Sequence, residues 1–203
     1  MSTINVRSFS ISLLFTTAIF ISCAAQNKSI PAEGNLEQEK FWISLQELCG
    51  KAYKGVVITA PANDTIFKGK ALVMHVRSCT PSLIRIPFFV GENRSRTWVF
   101  SKSDESLQLK HDHRHEDGKE DSITQYGGST TNRGKSTMQL FPADQETTNM
   151  LPAAAANVWW IDLVPGEYFT YNLRRIGTDR LFSIRFDLKK PVTTPPLPWG
   201  WID

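Results

Sequence analysis

Residues 168–188 read YFTYNLRRIGTDRLFSIRFDL. Two runs rich in aromatic and β-branched residues, Tyr168 to Arg175 and Arg180 to Leu188, flank Gly177-Thr178-Asp179, a recognisable turn. Phe and Arg alternate along the second run, the period of a strand with two different faces. The segment therefore reads as two antiparallel strands joined tightly.

The same texture extends upstream to Gly55. Further candidate strands are Val56 to Thr59, Ala71 to Ser78, Ile84 to Val90, Thr97 to Ser101, Leu107 to His115, Ser122 to Tyr126, Thr137 to Phe141 and Asn157 to Leu163. Turn chemistry separates them at Pro61-Ala62-Asn63-Asp64, Gly91-Glu92-Asn93, Asp117-Gly118, Tyr126-Gly127-Gly128 and Pro165-Gly166. Gly127-Gly128-Ser129 reads as part of a flexible loop, and Ala-rich Pro142 to Ala156 as a short helix or lid. From Pro191 onward, Pro195-Pro196 and Pro198 argue against a continuing sheet, so this tail is expected to pack over the surface through Trp199 and Trp201.

Before the strands, Leu36, Phe41, Leu45 and Leu48 recur among Glu37, Lys40, Gln46 and Glu47 and end near Gly50, which predicts an amphipathic helix. One helix followed by about ten short antiparallel strands predicts a mainly β fold, an up-and-down barrel, because closure removes the exposed edges of such a sheet. A β-sandwich is the alternative.

The N-terminus reads as a leader. Arg7 precedes the apolar run Ile11 to Ile21, which is too short to span a bilayer and suits a signal peptide of residues 1–22. It ends at Phe20-Ile21-Ser22-Cys23, where Cys23 would be lipidated, residues 23–35 forming a tether; cleavage after Ala25 is the competing reading. The chain is then an exported envelope lipoprotein, anchored in the outer membrane through Cys23. The helix and barrel occupy 36–190, and the Pro- and Trp-rich tail 191–203. Removing the leader leaves 203 − 22 = 181 residues, enough for one ordinary core. The formal charge of +3 comes from interleaved acids and bases, not the clustered basic face of a nucleic-acid binder. Of the three cysteines, Cys49 and Cys79 remain as a pair, bonded in an oxidising compartment or left as two buried thiols.

The order of helix, meander and closing strands such as Tyr168 to Leu188 resembles the calycin superfamily, which includes lipocalins, fatty-acid-binding proteins and phycobiliprotein lyases of the CpeT type. The resemblance implies a cavity for a small apolar or amphipathic ligand.

Two constellations carry candidate chemistry. In Leu107 to Gly118, strand period places Leu107, Leu109, His111, His113 and His115 on one face, so the imidazoles would line the barrel interior near its mouth. Adjacent members lie about 7 Å apart, and the outer pair about 13 Å, so two of them plus another donor such as His75, Asp112 or Glu116 could hold zinc or iron. The alternatives are a hydrogen-bonded polar cluster, and proton transfer or ligand contact. The second constellation is Arg77, Arg85, Arg94, Arg96, Arg114, Arg174, Arg175, Arg180 and Arg185. Arg77, Arg85 and Arg175 are the candidates to hold an anionic head group; the alternative is outer-face salt bridges with Asp112, Glu116, Asp162 and Asp187. No nucleophile elbow, phosphate loop, dinucleotide fingerprint or His-Glu-x-x-His is present, so the sequence leans away from an enzyme. A metal-dependent enzyme on the histidine strand and a structural envelope protein without a ligand are the rival readings.

Overall fold

The computed structural model describes residues 35–201; the expected signal peptide, Cys23 and nearly all of the tether lie outside them. The chain runs α1 (Leu36–Gln46), β1 (Ala52–Thr59), β2 (Leu72–His75), β3 (Ser78–Cys79), β4 (Leu83–Val90), β5 (Asn93–Lys102), β6 (Leu107–His113), β7 (Tyr126–Ser129), β8 (Met138–Pro142), α2 (Gln145–Met150), a 3-10 turn (Pro152–Ala154), β9 (Asn157–Val164), β10 (Tyr168–Arg175) and β11 (Leu181–Val192). The strands pair antiparallel in the order β7-β6-β5-β4-β2-β1-β11-β10-β9-β8, so that chain neighbours are paired except β7 and β8, and β3 is a short offshoot on β4. The last strand returns to the first, with Val57 opposite Ile184. The result is a nearly closed up-and-down barrel of ten strands.

Alternation builds the interior. Along β9, Trp159, Ile161 and Leu163 are buried while Val158, Trp160 and Asp162 are only partly covered, the pattern of a strand with its core face inward. At mid-barrel, Trp98 is sandwiched between Phe88 (4.6 Å) and Tyr171 (4.5 Å), with Phe169 and Phe186 around it. One end is plugged by α1. Gln38, Phe41, Trp42 and Leu45, spaced three and four apart, form its buried stripe, whereas Leu36, expected on that face, is exposed. The i, i+3, i+4, i+7 geometry of a helix chooses Trp42 over Leu36. Trp42 Nε1 donates to Pro81 O (3.0 Å), and Glu37 accepts from Ser136 N (2.8 Å), fastening the plug to the loops beneath it. Cys49 and Cys79 are disulfide-bonded at the same end.

Four local expectations differ from what forms. The expected strand Ala71 to Ser78 breaks into β2 and β3. The pairings Met74 with Phe88 and Ser78 with Arg85 show one extra residue between them, a bulge. β11 continues through Pro191, which lies opposite Tyr53 beyond a register shift in β1; an irregular ladder tolerates a residue that cannot donate. The expected strand Ser122 to Tyr126 stays irregular until its last residue. Conversely, Tyr126-Gly127-Gly128-Ser129, read as turn and loop, is strand β7.

Gly128 is needed because β7 and β8 meet at the barrel's seam, and Gly127 because the backbone of β6 lies against it. A Cβ on Gly128 would overlap the Pro142 carbonyl oxygen, and one on Gly127 would overlap that of Leu109. The ladder stops here, and other groups satisfy the exposed backbone: Asp144 N donates to Gly127 O (3.0 Å), and buried Thr147 on α2 both accepts from Gly127 N (2.7 Å) and donates to Gly127 O (2.8 Å). Lys110 on β6 pairs with Asp144 (2.8 Å) and Glu146 (2.6 Å), holding α2 over the gap.

Gly128→Ala is expected to cost about 1–3 kcal/mol through forced overlap at the seam. Thr147→Val, which strands the Gly127 N–H, is expected to cost a similar amount, about 1–3 kcal/mol. Urea denaturation of each variant against wild type measures both; wild-type midpoints would contradict the seam's role.

Candidate functional site

The end opposite α1 is open. There β5 begins, β6 and β10 finish, and the loops 60–71, 114–125 and 143–156 converge. Between them lies a pocket of about 300 Å³. Its walls combine apolar side chains, including Ile66, Phe67, Leu173 and Phe182, with Arg96, Arg175 and Arg180.

Loop 60–71 forms one wall. The Asp64 carboxylate accepts from the backbone N–H groups of Ile66 (2.9 Å), Phe67 (3.1 Å) and Lys68 (2.9 Å), an Asx-type arrangement that fixes the turn. Phe67 is thereby laid against Phe182, ring centroids 5.3 Å apart, and Phe88, 5.8 Å apart.

The histidines divide three ways. His111 faces inward and is fully buried, stacked on Tyr126 at 4.7 Å. Its Nδ1 lies 3.0 Å from Tyr126 O, a pure acceptor, so Nδ1 carries the proton, and Nε2 accepts from the Tyr171 hydroxyl at 2.9 Å. Burial presses its pKa from 6.5 to about 3, keeping it neutral. His113 lines the pocket, with Nε2 3.1 Å from the Tyr126 hydroxyl. Burial and then the Arg96 charge bring its pKa to about 4. His115 corrects the expectation of a three-histidine wall. It lies past the end of β6 and is exposed, its N–H donating to Lys119 O in the turn that follows. Chain geometry stops the alternation where the ladder stops, which the sequence pattern alone does not mark.

This arrangement also disfavours the zinc or iron reading. Both His111 nitrogens are engaged within the barrel, and among the described residues no three His, Cys, Asp or Glu side chains gather as a metal would require. His75 lies on β2 beside Ala52, toward the α1 end. Asp112 accepts from Arg114 Nε (3.1 Å) and Thr124 Oγ1 (3.3 Å), and Glu116 is exposed.

The arginines divide likewise. Arg175 reaches the pocket, its Nε donating to Asn157 Oδ1 (2.9 Å). Arg85 does not: it lies with Asp112, Arg114 and Trp201 in a shallow recess of the outer face. Arg77 is also outside, with its guanidinium 5.8 Å from the Trp201 ring centroid. The tail is fixed there as Trp199 N donates to Arg94 O (3.2 Å). Both arginines sit one residue out of phase with the inward positions Val76, Ile84 and Ile86. Of the expected outer salt bridges, Arg114 with Asp112 forms.

Two arginines not singled out complete the site. Arg96 donates to Asn93 Oδ1 (2.6 Å), and burial lowers its pKa. Arg180 lies with its guanidinium 5.0 Å from the Phe182 ring centroid. A signal for both exists: Arg96 is in phase with Trp98 and Phe100, and Arg180 with Phe182 and Ile184, so strand period turns them inward. Tyr126, whose hydroxyl burial pushes up to about 12, and Tyr171, raised by the same cause, stay protonated beside them.

The chain matches no protein-family model, no curated protein sequence and no solved structure. The meaning of the pocket rests on its own geometry.

His111 yields a test of this electrostatic account. Its folded pKa lies below the unfolded value of 6.5, so the unfolded chain binds a proton that the folded chain refuses. Stability is fully present above about pH 6.5 and falls as pH drops toward 4, by up to about 1.4 kcal/mol per pH unit from this group. Urea midpoints across that range should decline, and His111→Gln should flatten the decline. An unchanged slope in the variant would show that His111 does not titrate as its burial requires.

Proposed function

We propose that the barrel binds a small amphipathic molecule in the pocket at its open end, and that the chain works in the cell envelope as an exported lipoprotein anchored through Cys23. The observation that carries the first part is the pocket itself. Its volume of about 300 Å³ falls at the lower end of the range for small-molecule sites, which are apolar clefts with a few convergent polar groups. Phe67, Leu173 and Phe182 supply the apolar lining, and Arg175, His113 and Asn157 the polar groups.

The envelope reading draws support from the disulfide. Cys49 and Cys79, 30 residues apart and 6.3 Å apart at Cα, form the kind of link that persists in oxidising compartments. Closing a loop of this length contributes about 3–4 kcal/mol. The apolar run before Cys23 suits export to such a compartment.

Native mass spectrometry of the full chain purified from its own cells tests the binding reading, with Leu151→Trp as the blocking variant, since Leu151 lies on the pocket wall in a connecting segment. A retained organic mass lost in the variant is the expected result. An empty wild-type pocket would leave a structural envelope protein as the better reading. Labelling of wild type but not Cys23→Ser by a clickable fatty-acid analogue is expected for the anchor; no label on wild type would overturn it.

A further inference from the structure

Resting on the binding reading above, we infer the chemical class of the ligand: a compact, ring-bearing oxyanion such as an aryl carboxylate, not a long acyl chain. Three observations converge on this.

The first is uncompensated charge. Arg96, Arg175 and Arg180 line one pocket, and none has a carboxylate within ion-pair distance among the described residues. Asp121 is the acid on this wall, its Oδ1 accepting from Ile123 N (3.0 Å) and Ser122 Oγ (3.2 Å), so a single carboxylate faces three guanidinium groups and positive charge is in excess. Three guanidinium groups sharing a partly enclosed space repel one another unless an anion is present. Forked N–H donors also match the two oxygens of a carboxylate.

The second is an unmatched donor. The buried Nε of Arg180, on the pocket wall, has no acceptor among the described residues. A guanidinium can only donate. Leaving a buried donor unmatched is costly, so the missing partner carries an acceptor.

The third is shape. Beneath the pocket, Phe88, Trp98 and Tyr171 are stacked across the barrel, and His111 fills the space beside Tyr171. The void between these rings, lined by Phe88, Trp98, His111 and Tyr171, measures about 50 Å³, too small for an extended acyl chain. The pocket walls are instead aromatic faces, from Trp159, Phe182 and Phe67, which suit a flat body.

Isothermal titration of the purified full-length chain with naphthoate, its uncharged isostere naphthamide, and octanoate tests the class. Naphthoate is expected to bind at least about tenfold more tightly than the other two, the loss of one charge-assisted contact being worth that much. Arg180→Met should weaken naphthoate about tenfold or more and leave naphthamide unaffected, with Arg175→Met as the second variant should the first fail to fold. Lys189→Met, at an exposed pair with Glu167, should change neither. Equal affinity for naphthoate and naphthamide, both blocked by Leu151→Trp, would overturn the anion while leaving the pocket's binding role standing. Tighter binding of octanoate would overturn the ring. Absence of heat with all three would overturn the class, and the mass of any native occupant would still decide the binding role separately.

Discussion

A ten-strand meander becomes a barrel only if its two free edges are dealt with, and here those edges are β7 and β8. They do not zip together through a ladder. The chain brings two backbones close enough for Gly128 to touch the Pro142 carbonyl, and covers the leftover donor and acceptor of Gly127 with the single hydroxyl of Thr147. Unpaired strand edges expose rows of N–H and C=O groups, which either template aggregation or cost desolvation when buried. Satisfying them locally by a helix of six residues lets the sheet close with β7 only four residues long. Lys110 explains why that helix stays in place, since its ammonium on the barrel wall is shared between Asp144, the helix N-cap, and Glu146 in the first turn.

Closure in turn fixes what the interior can hold. Side chains from a small barrel's strands nearly fill its lumen, and the aromatic sequence makes this filling rigid. The stack of Phe88, Trp98 and Tyr171 spans the middle, and Phe41, Trp42 and Leu45 fill the α1 end. The larger free volume lies at the open end, about 300 Å³ against about 50 Å³ among the rings, where inward positions pass from Trp98, His111 and Phe182 to Arg96, His113 and Arg180. The pocket is therefore what remains when the core ends before the barrel does. A resemblance to lipid-carrying barrels suggests a lumen-deep cavity, and this interior does not offer one.

The sequence conveyed the architecture well because strand period and turn chemistry are local. Tyr168 to Arg175 forms β10 between the ends expected of it, and the single leading helix is present. What it concealed depends on long-range geometry. Gly127-Gly128 signals a loop by composition, but the glycines are there because a neighbouring strand approaches too closely for any Cβ. His115 looked inward by counting, yet the ladder of β6 ends at His113. By residue type Arg85 and Arg77 suit a ligand as well as Arg96 does, and only phase separates them: Arg96 shares a face with Trp98, while Arg85 alternates with the inward Ile84 and Ile86. The signal for Arg96 and Arg180 lies in the sequence itself, in their two-residue spacing from Trp98 and Phe182.

The same phase explains the electrostatic character of the open end. Histidines and arginines both turn inward there, but burial acts on them differently. An imidazole answers desolvation by giving up its proton, so His111 and His113 are neutral partners to Tyr171 and Tyr126. A guanidinium holds its proton even when burial lowers its pKa, as at Arg96. Two residue types with similar positive potential therefore separate into two layers: a neutral hydrogen-bonded layer of histidine and tyrosine closing the core, and a charged layer of arginine above it. The lower layer keeps water and charge out of the aromatic stack. The upper layer concentrates positive potential around the pocket at the open end, which is where a negatively charged guest would be held.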